Sequence, residues 1–149
     1  LLPYPDDFFD VQIAYSVFTH LPENVHLHWM RELARVAKPG GLVVVTLEPR
    51  SFLERIKNYK MEGENTFLHN LARFVPDIKK LIKKFDEGEF VYLATGGGDN
   101  LTSDVYGDAV VPKKFVDKNW SEFFEIIDYI TNPHEIWRQA ILIVRKKHN

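Results

Sequence analysis

No cysteine occurs among the 149 residues. Disulfides, thiolate nucleophiles and cysteine-ligated zinc are therefore excluded. Nor is there an excess of positive charge: 19 Lys and Arg stand against 21 Asp and Glu, a net charge of -2. Nucleic acid is not an expected partner, because phosphate binding needs a basic footprint. No apolar run approaches the roughly 18 residues of a membrane-spanning helix, and nothing at the start reads as a signal peptide. A cytoplasmic protein with no membrane partner is the expectation. An initiator Met is also missing. Leu1-Leu2-Pro3-Tyr4-Pro5 leads almost at once into a strand-like stretch, as an interior piece of a longer protein would. The one glycine run, Gly96-Gly97-Gly98, lacks the downstream Gly-Lys-Ser/Thr of a phosphate loop and reads as a flexible loop or lid.

What is present describes one globular domain, with 45% hydrophobic and 27% charged residues. Asp10 to Val17 is short, β-branched and aromatic, the signature of a strand. A helix starts at Leu21-Pro22-Glu23, where proline and an acid suit the first turn. Val25, Trp29, Leu33 and Val36 mark its buried stripe, with His26, Arg31 and Arg35 more open. Lys38-Pro39-Gly40-Gly41 stops it. Leu42 to Leu47 follows as an unbroken apolar strand, a pattern expected for a parallel sheet covered on both faces. Helical patterns span 51–59, 65–85 and 112–123, the second interrupted by Pro76. Phe90 to Leu93 is extended. Phe124 to Ile130 and Gln139 to Lys146 are strands joined by a turn at Asn132-Pro133, too close together for a helical crossover and so antiparallel neighbours.

Four blocks, in order, carry a family resemblance: Leu2-Pro3-Tyr4-Pro5-Asp6-Asp7-Phe8-Phe9-Asp10-Val11, Ala14-Tyr15-Ser16-Val17-Phe18-Thr19-His20-Leu21, Leu33-Ala34-Arg35-Val36-Ala37-Lys38-Pro39-Gly40-Gly41, and the closing strand pair. Together they resemble the later part of a class I, S-adenosylmethionine-dependent methyltransferase. The resemblance implies an α/β, partial Rossmann-like fold. Its mixed sheet has parallel strands, a final antiparallel pair with the last strand inserted inside, and a helical insert. The domain divides into a strand-helix-strand unit (1–48), an insert (49–119) and the terminal pair (120–149). The Gly-x-Gly-x-Gly turn of the family has no counterpart in the sequence, so the chain is expected to be an incomplete fragment.

In open parallel sheets ligands bind beyond the carboxyl ends of the strands. By resemblance Tyr15, Ser16 and Val17 line one wall of the S-adenosylmethionine site in the intact protein, and a small molecule is the methyl acceptor. Phe18, Glu48 and Tyr106 are candidates for the acceptor side. His20 is the candidate catalytic base, or else caps the following helix. His26 and His28 lie on different helix faces and His28 and Glu32 read as a surface pair, so no metal is expected. A second reading is a non-catalytic interaction module, forming a homodimer through the bare edge of strand 10–17.

Overall fold

The computed structural model describes residues 1–59, 71–72, 74–75, 77–97, 100–131 and 138–148. In chain order its elements are β1 (Phe9–Ala14), α1 (Glu23–Val36), β2 (Ala37–Leu47), α2 (Arg50–Tyr59), α3 (Ile78–Glu87), β3 (Val91–Leu93), β4 (Asp108–Val110), α4 (Lys113–Asn119), β5 (Phe124–Ile130) and β6 (Ala140–Lys146). The main sheet has the order β1-β2-β6-β5, and β3 and β4 form a separate hairpin-like pair. β1 and β2 are parallel, with Ile13 opposite Val44, while β6 runs antiparallel to both β2 and β5. The last strand is thus threaded between β2 and β5, the arrangement the resemblance implied. The residues around Pro76 and the Asn132-Pro133 turn lie outside the described residues. No described helix is long and apolar enough to cross a membrane.

Three local features differ from the pattern read in the sequence. α1 ends at Val36, and the Lys38-Pro39-Gly40-Gly41 segment is already extended backbone of β2. It forms a bulge, since Phe9 pairs with Ala37 while Val11 pairs with Leu42. Gly41 is required there: a Cβ would stand 2.9 Å from the Lys38 carbonyl oxygen and 3.0 Å from that of Phe9. The buried stripe of α1 is rotated by one residue, to His26, Met30 and Ala34. The third difference concerns the sheet faces. Val43, Val45, Leu47, Leu142 and Val144 pack with Met30, Ala34, Val116 and Trp120 on one face. The other face is open, with Val11, Ile13 and Tyr15 among its exposed side chains. The apolar run of β2 reflects continuous hydrophobicity, not cover on both sides by described residues.

Two cores result. The larger lies between the sheet and α1 and α4. The smaller gathers Phe52, Leu53 and Ile56 of α2 with Leu71, Ile78, Val91 and Val110. α3 is closed by Gly88 at φ 95, whose N–H returns to the carbonyls of Lys84 and Phe85. At the chain start, Arg35 bonds Glu32 at 2.6 and 3.0 Å and holds its carboxyl down at about 2. Glu32 in turn accepts from the Leu2 N–H at 2.7 Å. That employment removes Glu32 from any pairing with His28.

His26 is fully buried, inside a cage of Phe18, Phe90, Phe115 and Trp120 with ring centroids 4.9 to 5.9 Å away. Trp120 Nε1–H donates to His26 Nε2 at 3.2 Å, which places the ring proton on Nδ1. Burial drives the imidazole down to about 3, so it is neutral in the fold. The unfolded chain takes up this proton near 6.5 and the folded one does not. The stability it represents is complete above pH 6.5 and drains away as pH falls toward 3, by roughly 1.4 kcal/mol per pH unit. We predict that His26→Gln, which keeps an acceptor for Trp120, flattens this acid limb in urea unfolding followed by tryptophan fluorescence between pH 7 and 4. Parallel acid limbs in the two proteins would show that His26 does not govern it.

Candidate functional site

The site is built at the carboxyl ends of β1 and β2. β1 stops at Ala14, and the chain turns sharply at Ser16, a non-glycine residue at φ 55. The corner is held from both sides. Ser16 N–H donates to Thr46 Oγ1 of β2 at 2.7 Å, and Gln139, just before β6, donates from Nε2 to Ser16 Oγ at 3.1 Å. Over these ends lies the insert. Gly107, Ala109 and Val111 N–H groups donate to the carbonyls of His20, Thr19 and Glu48 at 3.1, 2.7 and 3.2 Å. β4 is therefore stitched across the loop after β1 and the end of β2.

His20 does not cap α1, whose N-cap is Pro22 without a side-chain bond. Its Nδ1 lies 2.8 Å from the Gly107 carbonyl oxygen. A carbonyl only accepts, so Nδ1 carries the proton and Nε2 is the basic nitrogen. The ring stacks on Tyr106 at 4.5 Å and 13°. Asp108 Oδ1 is 3.9 Å from Nδ1, and Asp108 Oδ2 accepts from Thr95 Oγ1 at 3.0 Å. Burial raises the Asp108 carboxyl, with the Thr95 bond and His20 opposing. Gly96 and Gly97 are ordered rather than lid-like: their N–H groups bond the carbonyls of Tyr106 and Leu101, and Gly97 packs against the Tyr106 ring. Gly98 lies outside the described residues.

Glu48 is 8% exposed. Burial pushes its carboxyl up to about 7; Arg55, 3.7 Å away, and the neighbouring Gln139 amide oppose this, and Asp108 adds to it. Among the described residues neither Glu48 Oε2 nor Gln139 Oε1 has a hydrogen-bond partner, although both are buried. Beside Gln139 opens a cleft of about 540 Å³, lined by Ile13, Tyr15, Val44, Thr46, Arg138 and Gln139 among others.

The sequence candidates divide accordingly. Tyr15 and Val17 are 66% and 46% exposed on either side of the Ser16 corner. His20 and Tyr106 are stacked, and Glu48 stands buried beneath β4. Phe18 is corrected: at 1% exposure it is a core side chain, edge-on to His26 and Trp120, and it faces no acceptor. Asp108, Thr95, Arg55 and Gln139 were not among the candidates. Asp108 precedes the apolar Ala109-Val110-Val111 run, and that break from polar loop to buried strand was the one available signal.

A sequence model described as a methyltransferase domain matches residues 1–45. Methyltransferase GfsG of Streptomyces halstedii is 38% identical over 63 residues, 42% of this chain and 22% of that protein. The tRNA (carboxymethyluridine(34)-5-O)-methyltransferase of Arabidopsis thaliana is 45% identical over 47 residues, 31% of this chain and 12% of that protein. Among solved structures, a SAM-dependent methyltransferase of Methanosarcina mazei aligns over the whole chain and 64% of its own, at TM-score 0.61 and 17% identity. The PH0226 protein of Pyrococcus horikoshii aligns over 99% of this chain and 56% of its own, at TM-score 0.58 and 16% identity. The chain has the class I methyltransferase fold, and its first 45 residues carry the methyltransferase-domain pattern. It spans about a fifth or less of the matched curated relatives.

The Glu48 carboxyl holds its proton more tightly in the fold than in the unfolded chain, where it titrates near 4.5. Its stabilising contribution is present below pH 4.5 and is lost as pH rises through about 7, about 3 kcal/mol in all. Glu48→Gln lacks this loss. Denaturant unfolding at pH 5 and pH 8.5 should show the variant gaining on the parent chain at the higher pH. An equal difference at both values would mean that Glu48 ionises normally.

Proposed function

We propose that the protein containing this chain transfers a methyl group from S-adenosylmethionine to a small-molecule acceptor, at the carboxyl edge of β1 and β2. One observation carries the reading. A histidine of fixed tautomer, His20, backed by the buried Asp108, stands on the turn that immediately follows the Ser16 corner, within a stretch whose sequence pattern is that of a methyltransferase domain. The net charge of -2 favours a small acceptor over RNA.

The residues present suit one wall of a cofactor site. Tyr15 offers an exposed ring, the corner offers Ser16, and Gln139 Oε1 is a buried acceptor still without a donor, beside an open cleft. Tyr15, Ser16 and Val17 would hold the cofactor, which when bound supplies an electrophilic methyl on its sulfonium. The chain's own work is positioning and proton removal. Nε2 of His20 accepts the proton of the acceptor's hydroxyl or amine, and Asp108 stabilises the resulting imidazolium. Tyr106 keeps the ring in plane, and β4 roofs the site against water.

A second reading rests on the open sheet face. β1 is an edge strand, and Val11, Ile13 and Tyr15 are 53%, 74% and 66% exposed. Such an edge recruits a partner, and two copies of this chain would pair through it. A monodisperse monomer in sedimentation at high concentration would remove that reading.

The methyltransferase reading is tested by titrating S-adenosylhomocysteine into the 149-residue chain with amide NMR detection. Perturbations should centre on residues 13–17, 46 and 139 and disappear in Tyr15→Ala. No perturbation there at millimolar ligand would overturn the assignment of the wall. In the full-length protein, His20→Gln should lower kcat roughly a hundredfold or more with little change in KM.

A further inference from the structure

Two buried acceptor atoms next to one another, both without a donor, are an unstable arrangement unless a proton lies between them. Glu48 Oε2 and Gln139 Oε1 are such a pair. The Gln139 amide stands beside the Glu48 carboxyl. Its other end is committed, since Nε2 donates to Ser16 Oγ at 3.1 Å, leaving only Oε1 for Glu48. A bare carboxylate there would face a carbonyl-type oxygen. The cost of leaving either group buried and unsatisfied is substantial.

We propose that Glu48 is a positioning residue that carries a proton, donates it in a hydrogen bond to Gln139 Oε1, and through the Gln139 amide fixes the strained Ser16 corner of the cofactor wall. The chain of bonds is Glu48 O–H to Gln139 Oε1, then Gln139 Nε2–H to Ser16 Oγ, with Ser16 N–H tied to Thr46 Oγ1 at 2.7 Å. The surroundings of Glu48 decide its charge. Arg55 from α2 approaches to 3.7 Å without a hydrogen bond, which is weak support for an anion. Asp108 from β4 is a second buried carboxyl and opposes ionisation, as does burial itself. Tyr129 of β5 feels Glu48 but spends its hydroxyl on the Val111 carbonyl at 2.9 Å. His20 is engaged with Gly107, and Arg138 is an exposed residue lining the cleft. When Glu48 loses its proton the amide must rotate away, and the Ser16 corner loses its outer tie.

The relay rests on the methyltransferase reading only for the use made of the corner. Its existence is tested without any ligand. The Gln139 side-chain amide, the Ser16 backbone amide and the Glu48 carboxyl carbon are followed by NMR in the 149-residue chain from pH 5.5 to 8.5. All three should move together with one midpoint close to neutrality. The amide transitions should vanish in Glu48→Gln, whose neutral amide donates in place of the carboxylic acid, and should persist in His20→Gln. A Glu48 carboxyl that titrates in the ordinary range, or amide transitions that survive Glu48→Gln, would overturn the proposal. Adenosyl-ligand binding separates the two readings. Coupled titration with no binding of S-adenosylhomocysteine keeps the relay and sinks the cofactor wall. Binding that is at least tenfold weaker in Glu48→Ala than in Glu48→Gln at pH 7 supports both, whereas equal binding in the two variants sinks the relay's role at the corner.

Discussion

Everything in this structure that resembles a site depends on three backbone hydrogen bonds, from Gly107, Ala109 and Val111 to the carbonyls of His20, Thr19 and Glu48. They fasten a strand of only three residues, β4, across the ends of the parallel pair. Alternation then does the rest. Ala109 and Val111 turn into the larger core, while Val110 turns into the smaller one with Phe52, Leu53 and Ile56. One short strand is shared by both cores, so its position is fixed from two sides. Gly107 makes the approach feasible, because a Cβ there would stand 2.3 Å from the Leu93 carbonyl oxygen. Asp108 is carried into the site by this geometry and by nothing in its own side chain's preferences.

The two kinds of buried polar residue differ in what burial does to them. His26 is enclosed by aromatic rings and kept neutral, and its bond to Trp120 joins α1 to the end of α4. It is a structural group, satisfied at one nitrogen and distant from the strand ends. Glu48 and Asp108 are buried where the strands end, and desolvation holds both carboxyls toward their protonated forms. Raised carboxyl values at a strand's carboxyl edge are the pattern expected where a fold trades stability for chemistry. The orphaned oxygens of Glu48 and Gln139 mark where that trade is concentrated.

Legibility in the sequence followed the range of the interactions. β1, α1, β2, β5 and β6 were readable because each is governed by local pattern: the β-branched runs, the helix stripe and the short connection that forces an antiparallel pair. Even there the α1 stripe was placed one residue off, because Trp29 outweighs His26 in hydrophobicity, whereas a cage of four aromatic rings decides the burial. β4 was not readable as a strand. Asp108-Ala109-Val110 has no strand partner nearer in sequence than Val91 to Leu93, and its anchoring carbonyls, at Thr19, His20 and Glu48, lie about 60 to 90 residues away. His20, Glu48 and Tyr106 were named from position and resemblance, and Asp108 and Gln139 emerged only once distant segments were brought together. Phe18 illustrates the opposite error: adjacency to a strand end says nothing about which way a side chain turns.

In the proposed function, the division of labour follows the two layers of the site. The parallel strands and the Ser16 corner are determined by the first 48 residues, the part in which the methyltransferase-domain pattern is found. The roof comes from the insert, through Thr95, Tyr106 and Asp108. A cofactor wall made of backbone corners needs few particular side chains, since φ 55 at Ser16 and its bonds to Thr46 and Gln139 define its shape. Proton transfer is more demanding, because it needs a defined tautomer and a nearby charge. The insert supplies both to His20, the tautomer through the Gly107 carbonyl and the charge through Asp108. On this argument, changes in the insert alter which acceptor is methylated and how its proton leaves, while changes at the corner alter whether the methyl donor is held at all.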